Sequence, residues 1–192
     1  PVALELLLPI AEERGLRKAA WLAARFDRLE LLQRLLAAGA PLSLRGAILD
    51  ENATLLNAAA SGGALRVATW LLTEQGFDAD GKPTGSDRHR GETPLAALVR
   101  FAGDVPESDR IRPFLRLLLA HGAEIERVSP ATGGTALQLA VAAYALSAYE
   151  ILVEHGASEA VLTPEERERL AQMRASPPPS RGRSTDQPNC VR

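Results

Sequence analysis

Thr135-Ala136-Leu137-Gln138-Leu139-Ala140 opens a stretch that runs on through Ala148-Tyr149 and Leu152-Val153 and closes on Gly156-Ala157. Apolar residues in adjacent pairs one turn apart describe one broad stripe of an amphipathic helix. The alanines nearer the start allow a first helix to approach its neighbours closely. A glycine after the stripe suits a left-handed position just past a helix C-terminus, where a Cβ would be strained. The stretch therefore predicts two helices joined by a turn, followed by an extended exit.

The same order recurs at Lys18–Gly39, Thr54–Gly76 and Thr93–Gly122. The stripe residues are Leu31, Leu32, Leu35 and Leu36 in the first unit, and Phe114, Leu115, Leu118 and Leu119 in the third. The second supplies Val67, Ala68, Leu71 and Leu72, provided that one extra residue precedes its glycine. A unit of this size cannot bury its own apolar face, so successive units must stack.

Thr93-Pro94-Leu95-Ala96-Ala97-Leu98 and Thr135-Ala136-Leu137-Gln138-Leu139-Ala140 resemble the ankyrin Thr-Pro-Leu-His-x-Ala signature. Thr54-Leu55-Leu56-Asn57-Ala58-Ala59-Ala60 and Lys18-Ala19-Ala20-Trp21-Leu22-Ala23-Ala24 are looser copies. Gly39-Ala40, Gly76-Phe77, Gly122-Ala123 and Gly156-Ala157 resemble the family's Gly-Ala ending. The threonines at 54, 93 and 135 lie 39 and 42 residues apart, against about 33 in the family. The excess falls in the connections and in an insertion at Ala102–Asp109. The signature histidine is replaced by Trp21, Asn57, Ala96 and Gln138. The resemblance implies that this side chain ties successive turns together, a task open to Asn57 and Gln138 but not, in the same way, to Trp21 or Ala96.

Composition sets bounds. The 192 residues are 46% apolar and 4% aromatic, enough for one continuous core of Leu, Ala and Val. A net charge of −2 at pH 7 gives no electrostatic case for nucleic acid. The single cysteine, Cys190, precludes an intramolecular disulfide and a Cys-based zinc site. Val128–Tyr149 carries no charge, but its polar residues and glycines leave an apolar run well short of the ~18 residues of a membrane span. No basic region precedes the apolar segment Val2–Ile10, so it does not read as a signal peptide. The expected location is intracellular and cytoplasmic, with the nucleus left open.

Chemistry-bearing motifs are missing. His121 and His155 each precede a repeat-ending glycine, where an imidazolium suits the open carbonyls of a helix end. Gly62-Gly63 and Gly133-Gly134 lack the residues that complete a phosphate loop or dinucleotide fingerprint. No Gly-x-Ser-x-Gly occurs. The expectation is no enzyme activity, no cofactor and no metal.

The ends differ from the middle. Residues 1–15 read as an N-terminal capping helix or degenerate half repeat, and 16–158 as four repeats at about 16–48, 49–86, 87–128 and 129–158. Residues 159–175 read as a C-terminal capping helix: Thr163 fits the N-cap, Pro164 the first helical position, and Glu166 completes a capping box. Leu170 and Met173 are spaced to touch the last repeat. Residues 176–192, rich in proline, serine and arginine, read as a disordered tail.

The expected fold is thus all-α: an ankyrin-like repeat solenoid of helix–turn–helix units with short extended connections. The resemblance implies a concave face built from the connections and the exposed side of each first helix. Carried over residue by residue, that face includes Arg25, Phe26, Ser61, Arg100 and Phe101 after the alanine-rich stretches. From the connections it takes Asp50, Glu51, His89, Arg90 and Glu92. Two Arg-Phe pairs on one face suit a protein partner, because arginine and aromatics are enriched at binding hot spots. Phe26 and Phe101 either meet the partner or fold inward against the next unit; both stay open. The expected function is non-catalytic binding of a partner protein or peptide by a monomer, with no nucleic acid or membrane involved. The alternatives are a targeting or regulatory domain of a larger enzyme, channel or effector, or an inhibitor occluding a partner's active site.

Overall fold

The computed structural model describes residues 13–41, 54–81, 92–102 and 108–175. Among them all regular structure is helical. The helices are α1 (Glu13–Arg25), α2 (Leu29–Ala37), α3 (Leu55–Gly62), α4 (Leu65–Thr73), α5 (Pro94–Ala102), α6 (Ser108–Ala120), α7 (Ala136–Ala142), α8 (Leu146–Glu154) and α9 (Pro164–Ala175), with a 3-10 turn at Glu159–Val161. Odd-numbered helices pack each on the next from α1 to α9, and α4, α6 and α8 pack in a second row. Within each unit the two helices also pair, α1 with α2 through α7 with α8.

Local chemistry explains where these helices begin. Thr54, Thr93 and Thr135 each accept the backbone N–H three residues on, from Asn57 at 3.1 Å, Ala96 at 3.2 Å and Gln138 at 3.3 Å. Gln138 returns the favour, its side-chain oxygen accepting the N–H of Thr135 at 3.1 Å. Thr163 and Glu166 form the same reciprocal box at the start of α9. Each such cap satisfies donors the helix itself leaves open and contributes about 0.5–2 kcal/mol.

Helix ends follow the expected glycines. Gly39, Gly76, Gly122 and Gly156 have φ of 94°, 66°, 88° and 99°. The next residue then donates its N–H back to a leucine carbonyl: Ala40 to Leu35, Phe77 to Leu71, Ala123 to Leu118, and Ala157 to Leu152. That bond spans five residues in three units and six in the second, which accounts for the extra residue before Gly76. The four leucines are at most 1% exposed, so they are equivalent in both backbone and burial. Val153, assigned to the same stripe, is an exception at 36% exposed.

Small residues set the spacing of the first row. Ala20, Ala23, Ala24, Ala58, Ala59 and Ala60 are all essentially buried. At Gly62 the approach is closest: a Cβ there would stand 1.8 Å from the carbonyl oxygen of Arg25. Only glycine lets the end of α1 lie against α3.

Two boundaries differ from expectation. α1 begins at Glu13 rather than Lys18, so residues assigned to a separate N-terminal cap continue into the first unit's helix. The insertion in the third unit shrinks to 103–107, because Ala102 ends α5 while Ser108 and Asp109 open α6. At the far end Leu170 and Met173 of α9 are buried, each 5% exposed, and α9 packs on both α7 and α8. The expectations for Val2–Ile10 and for 176–192 lie outside the described residues.

Candidate binding face along the first helices

Side-chain ties between units cluster beside the connections. Asn57 donates through Nδ2 to the carbonyl of Glu92, and Gln138 through Nε2 to the carbonyl of Val161 at 3.3 Å. Each amide thereby ties its helix to the segment that leads into the next one, Glu92 ahead of α5 and Val161 ahead of α9. A carboxylate repeats the linkage further along. Asp80 Oδ1 accepts the N–H of Glu124 at 3.0 Å, and Glu126 Oε1 accepts that of Ser158 at 2.5 Å. Asp80 and Glu126 each stand four residues after a repeat-ending glycine, and Glu124 and Ser158 two residues after the next one. Arg127 reinforces the first link, its Nη1 lying 3.0 Å from Asp80 Oδ2.

Asn57 and Gln138 fix which side of the first helices faces the connections. One turn on from Trp21, Asn57, Ala96 and Gln138 come Arg25, Ser61, Arg100 and Ala142. Arg25 and Arg100 therefore hold equivalent places two units apart. Each guanidinium is held, by different means. Arg25 stacks over the indole of Trp21, 5.3 Å from the ring centroid. Arg100 Nη2 lies 2.8 Å from Oε2 of Glu92. Between them Ser61 is half-buried and donates its hydroxyl to the carbonyl of Ala58 at 2.9 Å.

Glu92 corrects the sequence reading. Assigned to the partner-binding face through its place in the connection, it is only 6% exposed. Its carboxylate lies beneath the ion pair with Arg100, and its carbonyl receives Asn57. A buried carboxylate requires such compensation. The carboxylate thus meets Arg100 rather than solvent.

Phe26 is 63% exposed and does not fold inward. It lines an open cleft of about 440 Å³ with Leu65 and Pro113, beside the turn that joins α1 to α2. Arg25, Asp27, Gly62 and Gly63 line the same cleft. Asp50, Glu51, His89 and Arg90 lie outside the described residues, as does the side chain of Phe101.

Sequence reasoning missed several tying residues. Asp27 occupies the turn after α1 with φ of 55°, and its Oδ1 caps the neighbouring helix by accepting the N–H of Val67 at 2.9 Å. On the second-helix side, Glu30 pairs with Arg66 at 2.6 Å and Arg112 with Glu154. Both carboxyls titrate below their ordinary range, chiefly because the arginine hydrogen-bonds the ionised form. Tyr149 is buried and donates its hydroxyl to Glu159, with Arg174 of α9 stacked 5.5 Å above the ring. Burial, and then the bond to Glu159, push this phenol up to about 12.

Among the described residues no group of three or more His, Cys, Asp or Glu side chains is placed to hold a metal ion. No helix among them is long and apolar enough to cross a membrane. No protein-family model matches the chain, and the comparison with curated proteins gives no match.

Proposed function

We propose that the chain is an ankyrin-like repeat module that binds a partner protein or peptide without catalysis, along the face shared by its first helices and connections. The observation that carries this reading is the pair of equivalent arginines, Arg25 and Arg100, each held in place on that face. A side chain fixed before binding loses less entropy when a partner arrives. Arginine also presents a planar fork suited to carboxylates.

The in-register ties through Asn57, Gln138, Asp80 and Glu126 support the ankyrin-like stacking, since they recur at equivalent positions of successive units. Rigid stacking of this kind presents an extended surface rather than a pocket.

The test is affinity capture with identification of the retained protein by mass spectrometry, comparing the wild type with an Arg25→Gln/Arg100→Gln double variant. Glutamine is chosen because its amide can still donate to Glu92. Loss of the partner with an unchanged helical circular-dichroism spectrum supports the face. Unchanged capture by the folded double variant removes it as the principal site.

A further inference from the structure

We infer that two copies of the chain pair about a twofold axis, each seating its Phe26 in a cleft between α2 and α4 of the other. The second row of helices leaves that cleft open. α4, α6 and α8 pack on one another, whereas α2 does not close on α4 in the same way. The gap is a cleft of about 390 Å³ lined by Leu29 of α2 and, on α4, by Leu65, Thr69, Trp70 and Thr73. Thr69 and Thr73 donate their hydroxyls to carbonyls of their own helix at 2.8 Å. Glu30 and Arg66 neutralise each other across the gap. An apolar occupant therefore fits.

Size narrows the choice. The cleft is near the lower end of the range for small-ligand sites, about 300–1,000 Å³. It takes one large side chain rather than a helix, which is about 10–12 Å across. Among the described residues Phe26 is the most exposed large apolar side chain. Tyr144, the other strongly exposed ring, has Arg169 over it at 5.9 Å. Phe26 also stands next to the cleft, because Leu65 lines both this cleft and the one that Phe26 lines.

A projecting ring beside an apolar cleft is self-complementary when a second copy is turned through a half-circle, each ring then meeting the other's cleft. Leu65, shared by the two clefts, falls near the axis. Charge agrees with this pairing. Glu74, which also lines the cleft, makes no ion pair among the described residues. Arg28, two residues past Phe26, is exposed. The ring thus arrives with a cation, and the cleft presents an anion. The monomer expected from the sequence is then the dilute state of a concentration-dependent pair.

Sedimentation equilibrium of the full chain from about 1 µM to about 1 mM covers the range of weak affinities. The expected result is a reversible dimer dissociating at micromolar concentrations, as suits a small, transient contact. Phe26→Ser, which removes the ring, should raise the dissociation constant at least tenfold. Thr69→Arg, at an exposed position, should do the same by filling the cleft with a charge. Both should keep the helical circular-dichroism spectrum; if Thr69→Arg does not, Gln33→Arg on the opposite wall takes its place. An equimolar mixture of the two variants restores one seated ring, since the first supplies an open cleft and the second a ring. It should associate more tightly than either variant alone.

A wild-type chain that stays monomeric throughout overturns the inference, as does a dimer that both variants leave unchanged. A mixture no tighter than its components overturns the reciprocal seating. Species that keep growing with concentration indicate head-to-tail contacts, and they too overturn it.

Discussion

Asp27 and Val67 belong to different units, yet the carboxylate of the first caps the helix that contains the second, at 2.9 Å from its backbone nitrogen. Val67 is the third residue of α4, so its N–H has no carbonyl partner within the helix. A carboxylate there also meets the positive end of the helix dipole. Asp27→Ala should cost about 1–2 kcal/mol in urea denaturation, as for the loss of an ordinary N-cap. Asp27→Asn, which keeps an acceptor oxygen and tolerates the left-handed backbone at φ 55°, should recover most of that loss. A negligible effect of both would show that the bond carries no net stability.

Gly62 and Gly63 are adjacent but serve different ends. Gly63 needs freedom of φ, at 64°, whereas Gly62 needs empty space, because the Arg25 carbonyl fills the Cβ position. Gly63→Ala should cost about 1–2 kcal/mol for left-handed strain. Gly62→Ala should cost more, upwards of about 2 kcal/mol, since a backbone atom must move to admit the methyl group. Chemical denaturation of the two variants side by side gives the order directly.

Leu118 is fully buried and accepts the N–H of Ala123 at the end of its unit. Leu118→Ala should lower stability by about 2–5 kcal/mol, the range for a truncated core leucine. The same substitution at Leu35, Leu71 or Leu152 should fall in that range too. A loss below about half a kcal/mol at Leu118, typical of a surface site, would contradict the register.

Tyr149 predicts a response to alkali. Its phenol is raised to about 12 in the folded chain, against an ordinary value of 10.0. The folded state therefore holds the proton more tightly than the unfolded state. The associated stability is complete below about pH 10 and is lost as the pH rises towards 12. Tyr149→Phe should flatten that alkaline slope. Absorbance at 295 nm should show one of the two tyrosines titrating late, and the late phase should vanish in the variant.

Features governed by local rules were the most legible from sequence. Thr54, Thr93, Thr135 and Thr163 announce helix starts through side-chain geometry that spans three residues. Leu35, Leu71, Leu118 and Leu152 follow from helical period and the distance to a glycine. Asp27 and Asp80 were not legible, because their partners Val67 and Glu124 stand 40 and 44 residues away in sequence. Glu92 was misread for a related reason. A charged residue in a connection reads as exposed until the neighbouring units are seen to cover it and Arg100 to neutralise it. Register aligns Arg25 with Arg100 in the sequence, whereas the Trp21 stack and the Glu92 ion pair that hold them emerge only in the folded chain.

The forward reach of Asp80 and Glu126 has a mechanical corollary. Each acid grips the unit that follows and nothing beyond it, so tension along the chain would meet the junctions one after another rather than all together. Pulled from the C-terminus, the chain should part in discrete rips, with α9 and the last helix pair peeling away before the rest. A grafted unit would need an acid four residues past its own glycine to reproduce this tie, beside the apolar stripe that packs it on its neighbours.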